Sequence, residues 1–158
     1  MKSISLAEAL KVKSRLSARL VDITSILLRE NSHPVNQPSK YRIAEYAAEH
    51  TALNDALIKI SAIIQIANGP IAFQLAKLAF NKGRISTLDT MMSGAKVGTY
   101  LCGEKEVSYT CEVSPDAIRK DREKTQNEIH DDQDAIDKHN ASTMVEVPDE
   151  VVQLSRAA

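Results

Sequence analysis

The sequence predicts a mainly α protein: an antiparallel bundle of four long helices, with a small β-hairpin between helices three and four. Two long segments carry apolar residues at alternating four- and three-residue spacings, the signature of helices with a buried stripe. Proline and glycine punctuate the chain between those segments rather than inside them, at Pro34, Pro38, Gly69-Pro70 and Pro115. The third observation is compositional. Aromatic residues make up 4% of the 158, with no Trp and two Phe, so the core must be Leu, Ile and Ala, which suits packed helices better than a β-sandwich.

The first helix opens at Ser3 or Ser5, either of which can N-cap it; Glu8, three residues after Ser5, completes a capping-box pattern. Leu16, Leu20, Ile23 and Leu27 form its stripe, widened by Leu6, Leu10, Val12 and Ile26, and it runs to about Arg29. Asn31 is the expected C-cap, and Pro34 and Pro38 forbid continuation. The second helix starts near Ser39. Tyr46, His50, Leu53, Leu57, Ile60, Ile64 and Ala67 follow a heptad seam without a slip, which points to coiled-coil-like packing. Ala47, Ala56 and Ile63 lie beside that seam, enough for a second neighbour. At about 1.5 Å per residue both helices reach roughly 40 Å, and the short connection favours an antiparallel hairpin.

Asn68-Gly69-Pro70 marks the next junction, read as a break rather than a kink in one continuous helix. Ile71, Leu75, Leu78, Ile85, Leu88 and Met92 then trace a third helix, with Gly83 inside it as a kink or a close helix contact. Residues 97–113 form the hairpin, with Gly103-Glu104-Lys105-Glu106 as its turn. Pairing Cys102 with Val107 sets Tyr100 opposite Tyr109 and Gly98 opposite Cys111. Tyr100, Cys102, Val107, Tyr109, Cys111 and Val113 then share one apolar, packed face. Ser114-Pro115-Asp116 opens a fourth helix running to about Asn140, with a thin stripe of Ile118, Thr125, Ile129 and Ile136. More than half of residues 116–138 are charged, so this helix lies at the surface. Residues 143–147 read as a strand that adds to the hairpin. The domain division is one helical domain over 1–147 and a fraying tail over 148–158.

Most function classes find no support in these residues. The net charge of -1 provides no field for nucleic acid or an acidic membrane. No apolar run has signal-peptide or transmembrane length, so the expectation is a cytoplasmic protein without stable membrane insertion. In the register above, Cys102 and Cys111 sit roughly 13 Å apart along the ladder, too far for a disulfide. Their spacing, with no nearby His, is also a poor zinc pattern, and they read as small buried hydrophobes. His130 and Asp134 share a helix face at a metal-compatible spacing, but no Glu-x-x-His accompanies them, and a solvated face is the better reading. Gln133, Asp137 and Asn140 read as residues that orient the helix end. Lys11, Lys13, Arg15 and Arg19 form a basic patch without aromatic residues, read as ion-paired surface. His50 reads as a register-setting polar residue in the seam. No phosphate loop, nucleophile elbow or zinc-protease pattern occurs, and no catalytic, cofactor or metal residue is assigned.

One resemblance rests on the N-terminal half. Leu6-Ala7-Glu8-Ala9-Leu10, then Arg15-Leu16, Arg29-Glu30-Asn31, a proline-containing gap and a helix closing in Ile64-Gln65-Ile66-Ala67-Asn68 make an order that resembles the septicolysin-like small helical bacterial proteins. The resemblance implies a helical hairpin and, by the family's name, membrane-active toxin behaviour; it brings no catalytic or binding residues. The leading expectation is a non-enzymatic structural or interaction protein, bacterial or phage-associated, that forms a homo-oligomer or engages a protein partner. Its seam would be Tyr46, His50, Leu53, Leu57, Ile60 and Ile64, joined by hairpin edges. A prefoldin-like holdase is the alternative, since helical hairpins joined through β-hairpins can build a cage.

Overall fold

The structure is a computed structural model that describes residues 1–32, 34–36, 40–102 and 105–157. It is mainly helical with small antiparallel strand pairs. The elements are β1 (Lys2–Ser5), α1 (Leu6–Glu30), α2 (Ile43–Ala67), a 3-10 turn (Gly69–Ile71), α3 (Ala72–Gly94), β2 (Gly98–Cys102), β3 (Lys105–Tyr109), α4 (Pro115–Ser142), β4 (Met144–Val147) and α5 (Asp149–Ala157). Where four helices were expected, the described residues form five. The chain divides into two compact units. One is Met1–Pro70 with Lys138–Ala158; the other is Ile71–Asp137.

The first unit is built around α1 and α2. Ser5 caps α1 as the capping-box pattern requires: the Glu8 N–H donates to Ser5 Oγ at 3.2 Å and the Ser5 N–H donates to Glu8 Oε2 at 3.2 Å. At the other end the Asn31 N–H donates to the Leu27 carbonyl. The Leu6 N–H donates to the Thr143 carbonyl at 2.8 Å, and His139 Nε2 lies 3.0 Å from the Ala67 carbonyl. The start of α1 and the end of α2 therefore meet the same stretch of chain, so the two helices run antiparallel. A carbonyl only accepts, so His139 Nε2 carries the proton in that bond. Leu6, Ala9, Val12, Leu16 and Ile23 of α1 pack with Leu53, Ala56, Ile60 and Ile64 of α2 in one apolar core. Leu10, counted in the sequence stripe, is exposed.

Two short elements close this core. Residues 2–5, for which the sequence suggested no element beyond a cap at Ser3 or Ser5, form β1, which pairs antiparallel with β4 in the register Lys2↔Val147, Ile4↔Val145. Strand β4 therefore serves the N-terminus and does not extend the hairpin. Alternation turns Ile4, Val145 and Val147 inward. The expected tail is α5. The Val151 and Val152 N–H groups donate to the Pro148 carbonyl, acids occupy the first turn, and Val151 and Val152 are buried. A nine-residue helix is marginal in water on its own, and this one owes its stability to the core beneath it. The expected start of α2 at Ser39 lies outside the described residues; the helix is seen from Ile43.

In the second unit α3 and α4 run antiparallel, joined by β2 and β3. The break at 68–71 is real: α2 stops at Ala67, its cap Asn68 donates to the Ile64 carbonyl, and a 3-10 turn precedes α3. Gly83 lies inside a continuous helix, and a side chain there would meet nothing within 4 Å, so it does not mark a close helix contact. Ile71, Leu78 and Ile136 form a small core with Leu75 and Ile129 against it. The Ala117 N–H donates to Ser114 Oγ at 3.2 Å, capping α4 as expected.

Candidate interaction surface

The α2 seam turns inward. Leu53 and Ile60 are fully buried and Ile64 nearly so, all against α1 within the chain. Tyr46 and Leu57 are half-buried on the edge of that core. His50 is also half-buried, and its partner is local: Asn54 Nδ2 lies 3.2 Å from His50 Nδ1 and donates to the His50 carbonyl at 3.0 Å. Leu53 and Ile60 thus have no surface left for a second chain. At the seam's N-terminal end Arg19 donates twice to the Glu49 carboxylate, at 2.9 and 3.2 Å, with its guanidinium 6.0 Å from the Tyr46 ring centre. The hydrogen bond to Glu49 raises the Arg19 pKa above its ordinary value.

The hairpin pairs two residues out of step with the expected register. Cys102 stands opposite Lys105, Tyr100 opposite Val107 and Gly98 opposite Tyr109. Only residues 103–104 remain between the strands, and they lie outside the described residues, as does that part of the expected turn. A two-residue slip preserves the faces, so Tyr100, Cys102, Val107 and Tyr109 still share one side. The packed face itself is not found: β2 is exposed along its length, and β3 is exposed except at half-buried Tyr109. Cys102 is accordingly an exposed free thiol rather than a buried hydrophobe, with Sγ 3.6 Å from the Tyr109 hydroxyl. Cys111 is free and half-buried beyond the end of β3, its thiol donating to the Lys96 carbonyl at 3.4 Å. The Tyr100 and Tyr109 rings meet edge-on, 5.8 Å between centres.

Charged side chains link α3 to α4. Arg84 meets Asp121 at 2.7 Å, Arg122 meets Asp89 at 2.6 Å, and Asn81 donates to Glu128 at 3.2 Å. Lys77 Nζ lies 3.2 Å from Asp132 Oδ2 and 3.6 Å from Glu128. That Asp132 oxygen is buried and lacks a hydrogen bond of good geometry, so its compensation is the lysine charge. Proximity to Asp132, ahead of Glu128, raises the Lys77 pKa above the usual lysine value. Sequence reasoning passed over Asp132. The available signal was its position, seven residues beyond Thr125 and four before Ile136, which puts a carboxylate on the buried stripe. His130 and Asp134 are exposed, His130 Nε2 lies 3.3 Å from the Gln126 amide, and no group of three metal-ligating side chains gathers among the described residues. Gln133 donates to Asp137 at 3.0 Å. On α3, Phe73 and Phe80 are 76% and 80% exposed, two turns apart; the sequence reading missed them because they lie off the buried stripe.

The basic patch of α1 divides. Arg19 is ion-paired as expected, whereas Lys11 and Arg15 line a cleft with Lys2 and Arg156. No family model, curated protein or solved structure matches this chain. No single helix among the described residues is long and apolar enough to cross a membrane.

Proposed function

We propose that this chain is a non-enzymatic, cytoplasmic interaction protein that self-assembles, as a bacterial or phage-associated assembly component would, and that the β2–β3 hairpin is its joining element. The observation that carries the reading is the hairpin's exposure. Among the described residues its sheet has two strands, so each keeps one unpaired edge, and Leu101 is 74% exposed. A lone two-stranded hairpin is marginal in water, and an open edge is a template for a further strand. Pairing between copies satisfies both conditions, and it takes over the role expected of the inward-facing α2 seam.

Light scattering on the full chain, with and without reductant, tests this. The expected result is an oligomer insensitive to reductant that falls to a monomer in Leu101→Lys. A monomeric wild type at about 100 μM, or a mass that falls with reductant, overturns edge pairing. A second reading is favoured by the order helix–hairpin–helix in the second unit together with exposed Phe73 and Phe80: a prefoldin-like holdase, tested by suppression of client aggregation and its loss in a Phe73→Ser, Phe80→Ser variant. The septicolysin-like proposal rests on the N-terminal residues alone, and dye release from liposomes tests it.

A further inference from the structure

We infer that the cleft between β1, α1 and α5 is a binding site for a small phosphorylated ligand. Lys2 from β1, Lys11 and Arg15 from α1, and Arg156 from α5 line one cavity of about 290 Å³. Among the described residues the only acid lining it is Glu8, whose carboxylate accepts a hydrogen bond from the Ser5 N–H. None of the four cations forms an ion pair among the described residues. That separates them from the bases that cross between elements elsewhere in the chain. Arg19, Lys59, Lys77, Arg84 and Arg122 each reach an acid on a facing helix.

Lys11 and Arg15 are four residues apart on one helix face, where like charges repel, and the pairing of β1 with β4 brings Lys2 to the same cavity. An anion relieves this repulsion, and a phosphate suits it best. Arg15 and Arg156 offer planar forks that grip two phosphate oxygens each, while Lys2 and Lys11 add point charges. The floor is apolar, formed by Ile4, Val12 and Val152, all buried. A phosphate therefore binds at the rim, and the organic part of a phosphate monoester rests on the floor. The volume fits a pyrophosphate or a small phosphorylated metabolite and is too small for a folded partner.

The test is calorimetric titration of the full chain with inorganic pyrophosphate in phosphate-free buffer, with thermal unfolding read in parallel. The expected result is one site per chain, a raised melting temperature, and affinity that weakens as salt rises. Arg15→Gln and Arg156→Gln each weaken binding by about tenfold, the loss of one charge-assisted contact. Lys13→Gln removes a charge from the same helix outside the cleft and leaves affinity within about twofold. Circular dichroism confirms that each variant is folded. Absence of both heat and stabilisation overturns the inference. So does equal weakening by Lys13→Gln, which assigns the binding to diffuse charge, and so does tighter binding of a single-stranded oligonucleotide than of pyrophosphate.

Discussion

Truncating Ile60 to alanine measures whether the α2 seam is the core of a single chain. Ile60 is fully buried in the cluster that holds Leu16, Leu53, Val147 and Val151. The change removes three carbons, which at about 0.8 kcal/mol per buried methylene is about 2.4 kcal/mol of transfer energy. The neighbours belong to two long helices, a strand pair and α5, which cannot all move into one small void. A cavity term therefore adds to the transfer term and puts the total at about 3–4 kcal/mol, inside the ~2–5 kcal/mol range for such sites. Ile58 on the same helix is 68% exposed, and Ile58→Ala is expected to cost under about 0.5 kcal/mol. Urea unfolding followed by far-ultraviolet circular dichroism reads both. With a slope of about 2 kcal/mol/M, Ile60→Ala lowers the midpoint by about 1.5–2 M. The measurement is repeated at protein concentrations a hundredfold apart. Assembly through the hairpin shifts wild type and variant alike, so their difference stays constant. A loss below about 1 kcal/mol, or a difference that changes with concentration, refutes an intrachain seam.

Two further outcomes follow from the first unit. Ser5→Ala removes the oxygen that accepts the Glu8 N–H and is expected to cost about 0.5–2 kcal/mol in thermal or urea unfolding, with Ser5→Thr recovering most of it. Equal stability of the three proteins would mean the capping box does not hold α1 in solution. The Met1 ammonium donates to Asp149 Oδ2 at 2.7 Å, and that hydrogen bond raises its pKa above the ordinary 8.0. A raised pKa contributes stability that is complete below the unfolded value and lost as pH rises through the folded one. The melting-temperature gap between wild type and Asp149→Asn is therefore expected to be largest at pH 7 and to shrink above pH 8. A gap unchanged up to pH 11 would show that Asp149 acts only on the first turn of α5.

What could be read without coordinates was local. The stripes of α1 to α4, the capping box at Ser5, the end of α2 at Asn68 and the Ser114 cap depend on residues within a few positions of one another, and side-chain chemistry encodes them directly. The two hairpin faces were legible for the same reason, because a period of two survives a two-residue slip; the register was not, since both pairings satisfy the same alternation.

Features that join distant parts of the chain had no local mark. The four residues of β1 carry a single large apolar side chain and take their conformation from β4, some 140 residues away. The α5 helix is too short to announce itself and exists because a core lies under it. Amphipathicity showed that the hairpin has an apolar face; whether anything covers it depends on neighbours, and among the described residues only Tyr109 of the two strands is even half-buried. Lys2, Lys11, Arg15 and Arg156 became one cationic cleft through β1–β4 pairing and the docking of α5, contacts set by burial of Ile4, Val147, Val151 and Val152 rather than by the charges themselves. Helices and caps are short-range equilibria that a sequence states outright, whereas strand partners, burial and charge convergence are decided by which apolar surfaces find each other.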